Sequence, residues 1–316
     1  MSTTPIRTFD QLLQTAAGSP PATVLIAQPK GPETFAAVAG AVEKLRCRFI
    51  LVGDQGTMQA GLVQAGIRQG DAVELRHHPS TSDALAASLE LLRAGAAGIF
   101  MKGGVDTGTM MRAVFDEKSG LRTGKILSDV AMTEFPGADG VRLLMITDGG
   151  LTPAPDLKEK IALVRNAVLV AHALGNPLPR VAILSATELV SPGIPSTVDA
   201  AILAKMSDRG QISGCLVDGP LALDNAISPE AAKEKGIRSE VAGRADIIVA
   251  PSLEAANALA KSATYFAGWK LAHVVVGGKV PILIPSRADD GPARILSIAL
   301  GIVTASAETD QAVRSS

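Results

Sequence analysis

The sequence predicts an α/β fold in two domains, with parallel-rich sheets flanked by helices. Three observations carry that prediction. Short apolar runs alternate with amphipathic segments, the pattern of βαβ units and a largely parallel sheet. Of the 316 residues, 47% are hydrophobic and 19% charged, ample material for a core and too little charge for a disordered chain. The alternation breaks at Pro153-Ala154-Pro155 and then resumes, which places the domain crossing there.

Taken in order, Phe9 to Ala16 reads as a helix, Thr23 to Ala27 as a strand and Glu33 to Leu45 as a helix. Phe49 to Val52 is a strand ending in Gly53-Asp54, Met58 to Ala65 is helical and Val73 to Arg76 extended. Ser82 to Ala94 is amphipathic, with Ser82 or Thr81 as its cap, and Gly98 to Lys102 is a short strand. Leu121 to Phe135 is a polar turn leading into a strand, and Arg142 to Thr147 is another, ended by Asp148-Gly149-Gly150. In the second series, Leu157 to Leu174, Thr197 to Arg209 and Leu253 to Ala263 are helices. Val181 to Leu184, Gly214 to Val217, Ala245 to Ala250 and His273 to Val276 are strands. The chain then gives a strand at Val280 to Ile284 and a helix at Pro292 to Ile302, with Pro near its first turn.

Two junctions offer chemistry. Pro285 stops the Val280 strand just before Ser286, Arg287, Asp289 and Asp290, so a hydroxyl, a guanidinium and two carboxylates sit between strand and helix. Open α/β folds bind ligands at strand carboxyl ends, and helix N-termini favour anions. Arg287 suits bidentate grip of a phosphate, and a neighbouring Asp suits proton abstraction. A helix cap with a surface ion pair explains the spacing equally well. The second junction runs from Lys102-Gly103-Gly104 through Thr107 to Arg112. Its glycines admit close backbone approach, its N–H groups suit a phosphate cradle, Thr107 suits the helix cap, and Lys102 and Arg112 add positive charge. It is neither a Walker loop nor a GxGxxG fingerprint, and a plain glycine turn is the default for such a loop standing alone.

Other features narrow the class. A formal net charge of −1 gives no general attraction to nucleic acid or an anionic membrane. Cys47 and Cys215 lie in apolar surroundings and read as buried side chains in a reducing compartment. Neither a signal core nor a bilayer-spanning run is found, so a cytoplasmic protein is expected. Asp218 and Asp224 invite a metal reading, but His77, His78, His172 and His273 lack ligand spacing, and no metal is expected. There is no G-x-S-x-G elbow for a serine hydrolase.

Three stretches together are more specific. Lys102-Gly103 with Thr107 and Arg112, Val217-Asp218-Gly219-Pro220-Leu221-Ala222-Leu223-Asp224-Asn225-Ala226, and Pro285-Ser286-Arg287 with Ser297-Ile298-Ala299-Leu300 resemble the phosphate acetyltransferase and phosphate butyryltransferase family. The resemblance covers about Gly98 to Ala305, and Leu121-Arg122-Thr123-Gly124-Lys125 and Leu223 to Ser228 look more like the butyryl branch. It implies a two-domain fold like that of isocitrate and isopropylmalate dehydrogenases. Residues 1–150 with 286–316 would form one domain and 151–285 an inserted one. It also implies a homodimer that interconverts acyl-CoA and phosphate with acyl phosphate and CoA, in an interdomain cleft and without a permanent cofactor or metal. The family's substrate-binding positions fall on Thr107, Arg112, Ser286 and Arg287. Two departures stand out. The acetyl branch's catalytic Asp, seven positions after the Ser-Arg pair begins, is Ala293 here, and its second substrate-binding arginine has no clear counterpart.

The expected chemistry is direct acyl transfer. Arg287 and Arg112 would hold phosphoryl oxygens, Ser286 and the Gly103-Gly104 N–H groups would face the oxyanion, and Asp289 would take the thiol proton while Asp290 caps the helix. Two alternatives remain at this level: a metal-dependent dehydrogenase of the same superfamily, and a non-catalytic protein that binds CoA or acyl phosphate.

Overall fold

Parallel strands require crossover connections, and the amphipathic segments between the apolar runs supply them. The computed structural model describes residues 4–67, 70, 72–286 and 288–315. Its strands are β1 (Thr23–Ala27), β2 (Arg48–Gly53), β3 (Val73–His77), β4 (Ile99–Lys102), β5 (Ser128–Gly137), β6 (Gly140–Thr147), β7 (Arg180–Leu184), β8 (Leu216–Leu221), β9 (Ile247–Val249), β10 (Ala272–Val276) and β11 (Ile282–Leu283). Its helices are α1 (Phe9–Gly18), α2 (Pro32–Leu45), α3 (Gln55–Gln64), α4 (Thr81–Arg93), α5 (Thr107–Phe115), α6 (Leu157–Ala173), α7 (Pro195–Asp208), α8 (Leu223–Ile227), α9 (Pro229–Glu234), α10 (Leu253–Tyr265) and α11 (Gly291–Ser315). The chain forms two densely packed units. A split unit comprises Asp10–Lys125 and Ala272–Ser316, and an inserted unit comprises Ile126–Leu271 with Met1–Phe9.

In the split unit the strands run in the order β3-β2-β1-β4-β11-β10. All neighbours are parallel except β10 and β11. Val24 to Ala27 are fully buried, as expected of a strand covered on both faces. Helix α11 is apolar nearly all round from Ile295 to Val303, and such a helix belongs inside a core. It packs against α2 and β10, approaching α2 so closely that a Cβ on Gly40 would lie 2.5 Å from Ile295 Cδ1. Two caps differ from expectation. Ser80, not Thr81 or Ser82, has the extended backbone of a cap and accepts the Asp83 N–H of α4. Asp106, not Thr107, does the same for α5.

In the inserted unit the order is β5-β6-β9-β7-β8, with β5 and β6 antiparallel and the other neighbours parallel. Strand β8 continues through Asp218-Gly219-Pro220, a stretch expected to leave the sheet after Val217. Pro220 is tolerated because β8 lies at the sheet edge, where a missing donor breaks no inner ladder. The units divide at 9/10, 125/126 and 271/272, whereas the sequence suggested 150/151 and 285/286 only and kept residues 1–9 with the split domain. The hairpin explains the shift to 125/126: β5 pairs with β6 from Val130 opposite Thr147 to Gly137 opposite Gly140, which keeps both strands in one unit.

The Pro153 stretch is instead the connection between β6 and α6. Asp148 organises it: one carboxylate oxygen accepts the N–H groups of Gly150 and Leu151, the other the N–H and hydroxyl of Thr152. Asp156 and Glu159 then close a reciprocal capping box on α6. Burial, with the nearby Asp129 charge, pushes the Asp148 carboxyl up from 3.8 to about 6, against those hydrogen bonds. Because the folded value lies above the unfolded one, this contribution to stability is present below the ordinary value and lost as pH rises through about 6. Titration of the Asp148 carboxyl carbon by NMR should give a midpoint near 6. A midpoint at the ordinary aspartate value would contradict the burial argument.

Candidate active site

Parallel neighbours deliver the segments after their carboxyl ends to one edge of a sheet. In the split unit β4 lies between β1 and β11, with Ala27 opposite Lys102 and Leu283 opposite Met101. Residues 28–31, 103–106, 284–286 and 288–290 therefore share an edge, and each segment leads into the N-terminus of a helix, α2, α5 or α11.

Lys102 ends β4 with only 8% exposure, and its Nζ donates to Thr107 Oγ1 at 3.2 Å. Its stem lies in the core and its charge at the strand end. Gly103 follows because nothing larger fits: a Cβ there would lie 2.3 Å from the Gln28 carbonyl oxygen and 2.5 Å from that of Ala27. The Gly103 N–H donates to Ala27 O and the Gly104 N–H to Gln28 O. The expectation that these two N–H groups face an oxyanion is corrected, since they close the loop onto β1. A Cβ on Gly104 would lie 3.0 Å from the Cβ of Lys30, which brings a further exposed ammonium to this edge. Sequence reasoning passed over Lys30; its position three residues after β1 was the available signal.

At the start of α5 the Asp106 carboxylate accepts the Thr109 N–H at 2.9 Å. Hydrogen bonds from Thr109, first its hydroxyl and then its N–H, hold Asp106 below the usual carboxylate range, and Arg112 adds to the effect. The exposed Arg112 lies back along the first turn, its Nη2 donating to Thr109 Oγ1 at 2.8 Å. Lys102, Thr107 and Arg112 thus gather at one helix N-terminus, whose first N–H groups and dipole also favour an anion.

The third segment is closed by its own side chains. Ser286 N–H donates to Asp289 Oδ2 at 2.7 Å, and Asp289 N–H donates to Ser286 O at 3.2 Å. The Ala288 N–H donates to Ser286 Oγ at 3.3 Å. Asp290 accepts the Ala293 N–H at 2.8 Å, the geometry of an N-cap on α11. Arg287 lies outside the described residues. Ala293 is 8% exposed and offers no carboxylate at the acetyl-branch position.

One residue that sequence reasoning missed organises this segment. Arg294 is 8% exposed, and its guanidinium donates to Asp289 O at 3.1 Å, Thr34 Oγ1 at 3.2 Å and Ser286 O at 3.3 Å. Burial draws its pKa down, while Asp289 and Glu33 favour the charged form. Glu33 also accepts the Gly291 N–H at 2.7 Å, so the first turns of α2 and α11 are tied together. The missed signal was an arginine within the apolar stretch of α11, since a charge there must be paired.

The remaining candidates have other partners. Asp218 accepts its neighbour's N–H from Gly219, and Asp224 lies 3.7 Å from Lys235 Nζ. His77 Nδ1 accepts the Gln55 N–H, and His172 bonds to Gly214 O. Among the described residues no group of three or more His, Cys, Asp or Glu side chains is placed to hold a metal ion. Likewise, none of their helices is long and apolar enough to cross a membrane. Burial pushes the Cys47 thiol up to about 12 and that of Cys215 to about 11, far from a reactive thiolate.

Two variants check this architecture. Gly103→Ala should destabilise the split unit by about 1–3 kcal/mol through overpacking, read as a lowered denaturant midpoint. Arg294→Lys should fold yet lose activity, because one ammonium cannot serve three divergent acceptors. Wild-type kinetics in Arg294→Lys would show that its three-way grip is dispensable.

The described geometry can be set beside known proteins. The family described as "Phosphate acetyl/butaryl transferase" matches residues 67–302. A phosphate butyryltransferase from Clostridium beijerinckii is 41% identical over 299 residues, which cover 95% of this chain and 98% of the relative. A phosphate acetyltransferase from Thermotoga maritima is 46% identical over 218 residues, covering 69% of this chain and 74% of the relative. The crystal structure of a branched-chain phosphotransacylase from Enterococcus faecalis superposes with a TM-score of 0.79 at 30% identity, over 90% of this chain and 99% of that one. These matches do not favour a dehydrogenase or a non-catalytic binder. The chain belongs to the phosphate acetyl/butyryl transferase family.

Proposed function

We propose that this chain catalyses reversible acyl transfer between coenzyme A and inorganic phosphate, with a butyryl or acetyl group as the acyl cargo. The observation that supports this most directly is the shared edge after β1, β4 and β11. There Lys102, Thr107 and Arg112 gather at one helix N-terminus, in a chain whose relatives are phosphate acyltransferases. The reading includes a cytoplasmic homodimer with no permanently bound cofactor.

In the direction that consumes acyl phosphate, the phosphoryl oxygens lie against Lys102, Arg112 and Arg287. The CoA sulfur attacks the acyl carbonyl carbon as its proton passes to Asp289, because a free thiol with a pKa near about 8.5 is mostly protonated. Ser286 donates to the developing oxyanion, in place of the Gly103 and Gly104 N–H groups. The carbon–oxygen bond to phosphate then breaks, the cationic groups receive the phosphate, and the proton held on Asp289 passes to the departing phosphate oxygen, so that hydrogen phosphate leaves and the carboxylate is restored. Holding both substrates together supplies roughly 7–11 kcal/mol of the barrier.

Phosphate-dependent release of CoA from acetyl-, butyryl- and longer acyl-CoA tests the activity and ranks chain lengths. Absence of release from all of them would overturn it. Asp289→Asn keeps an acceptor for the Ser286 N–H but loses the base. The rate should therefore fall roughly 10²–10⁴-fold with an unchanged thermal midpoint. A loss below tenfold would make Asp289 a loop lock only. Asp290→Ala should remove about 1 kcal/mol of stability and little rate. Arg287→Ala should lose on the order of 10²–10³ in rate, and a variant within threefold of wild type would remove Arg287 from the phosphate clamp.

A further inference from the structure

The inserted unit contains a cavity of about 350 Å³ built wholly from its own residues, large enough for a small molecule. It opens at the amino ends of β6, β9 and β7, where Arg142, Asp246 and Arg180 stand. Catalytic ligands of open α/β sheets sit at the opposite, carboxyl ends. Four guanidinium groups line it, from Arg7, Arg142, Arg180 and Arg244, against two carboxylates, Asp139 and Asp246. Both carboxylates already have partners among the described residues. Asp246 Oδ2 is occupied by the Arg180 backbone N–H at 2.9 Å and Asn176 Nδ2 at 3.3 Å, and lies 4.0 Å from Arg180 Nη1. Asp139 Oδ2 is 3.7 Å from Arg244 Nε.

Arg142 is the group that asks for a ligand. Its Nε donates to Ala245 O at 3.2 Å and its guanidinium lies 5.0 Å from the Phe135 ring centre, which fixes the plane. Its Nη2 is buried with no hydrogen-bond partner among the described residues. A buried charged donor without an acceptor is costly, and an oxyanion drawn against the accessible edge of the same guanidinium, which lines the cavity, would offset part of that cost. Burial lowers the Arg142 pKa, Asp246 and then Asp139 oppose the shift, and the Arg180 and Arg7 charges add to it more weakly.

We infer that this cavity binds a small organic dianion, a dicarboxylate or a phosphate monoester, with Arg142 as its central anchor and Arg180 and Arg244 beside it. Planar guanidinium forks match either oxyanion, and two negative charges match the excess. This site stands independently of the acyl-transfer reading.

The test titrates the full chain with malonate, glycerol phosphate and acetate by calorimetry, in wild type, Arg142→Met, Arg244→Gln and Arg112→Ala. One dianion should bind per chain while acetate does not, and the tighter probe identifies which source the site serves. Arg142→Met should weaken binding by about tenfold or more, the loss expected for a hydrogen bond to a charged group. Arg244→Gln, an exposed change that leaves folding intact, should weaken it severalfold and decides the matter if Arg142→Met fails to fold. Arg112→Ala should bind as wild type does, and turnover of Arg244→Gln without added dianion should be unchanged. No saturable binding at millimolar concentration, binding that survives the arginine changes in the cavity, or binding lost in Arg112→Ala would each overturn the inference.

Discussion

A single buried guanidinium ties the end of β11 to the start of α11. Arg294 reaches from the first turn of α11 to two backbone carbonyls, Ser286 O and Asp289 O, and to the Thr34 hydroxyl on α2. Carbonyl groups that leave a strand end need donors, and here one side chain supplies them in fixed directions. Ser286 and Asp289 are consequently presented as a closed loop, with the Asp289 carboxylate turned onto the Ser286 N–H. The apolar length of α11 anchors the arginine in the core.

The neighbouring segment obeys a different constraint. The Gly103-Gly104 turn bonds tightly onto the end of β1, and its glycines serve backbone proximity rather than ligand contact. What that closeness achieves is placement: Lys102 is carried to the strand end, and α5 begins at once with Asp106 as its cap. The charge balance of this edge follows from short-range geometry.

Much of the fold was legible because apolar periodicity is written locally. Thr23–Ala27 and Leu157–Ala173 agree with the reading of the sequence to within a residue. The misses have physical causes. Pro220 normally ends a strand, and only an edge position, invisible in the sequence, lets β8 continue through it. The Pro153 turn resembled a linker, yet the Asp148 carboxylate binds it internally. Residue type and junction position singled out Lys102, Thr107, Ser286 and Asp290 as candidates in the sequence. Arg294 was not among them, because its side-chain partner Thr34, on α2, meets it only in the folded chain. The roles of the Gly103 and Gly104 N–H groups were misassigned for the same reason: their acceptors belong to β1.

In the proposed reaction the acyl group passes directly between sulfur and phosphate oxygen. Both thiols of the chain are buried and raised far above neutrality, which argues against either as a carrier. Exchange of labelled inorganic phosphate into acyl phosphate, followed with and without CoA, tests the claim most directly. Direct transfer predicts exchange only when CoA is present. Exchange in its absence would reveal a covalent acyl-enzyme and contradict the account, as would a lack of exchange even with CoA.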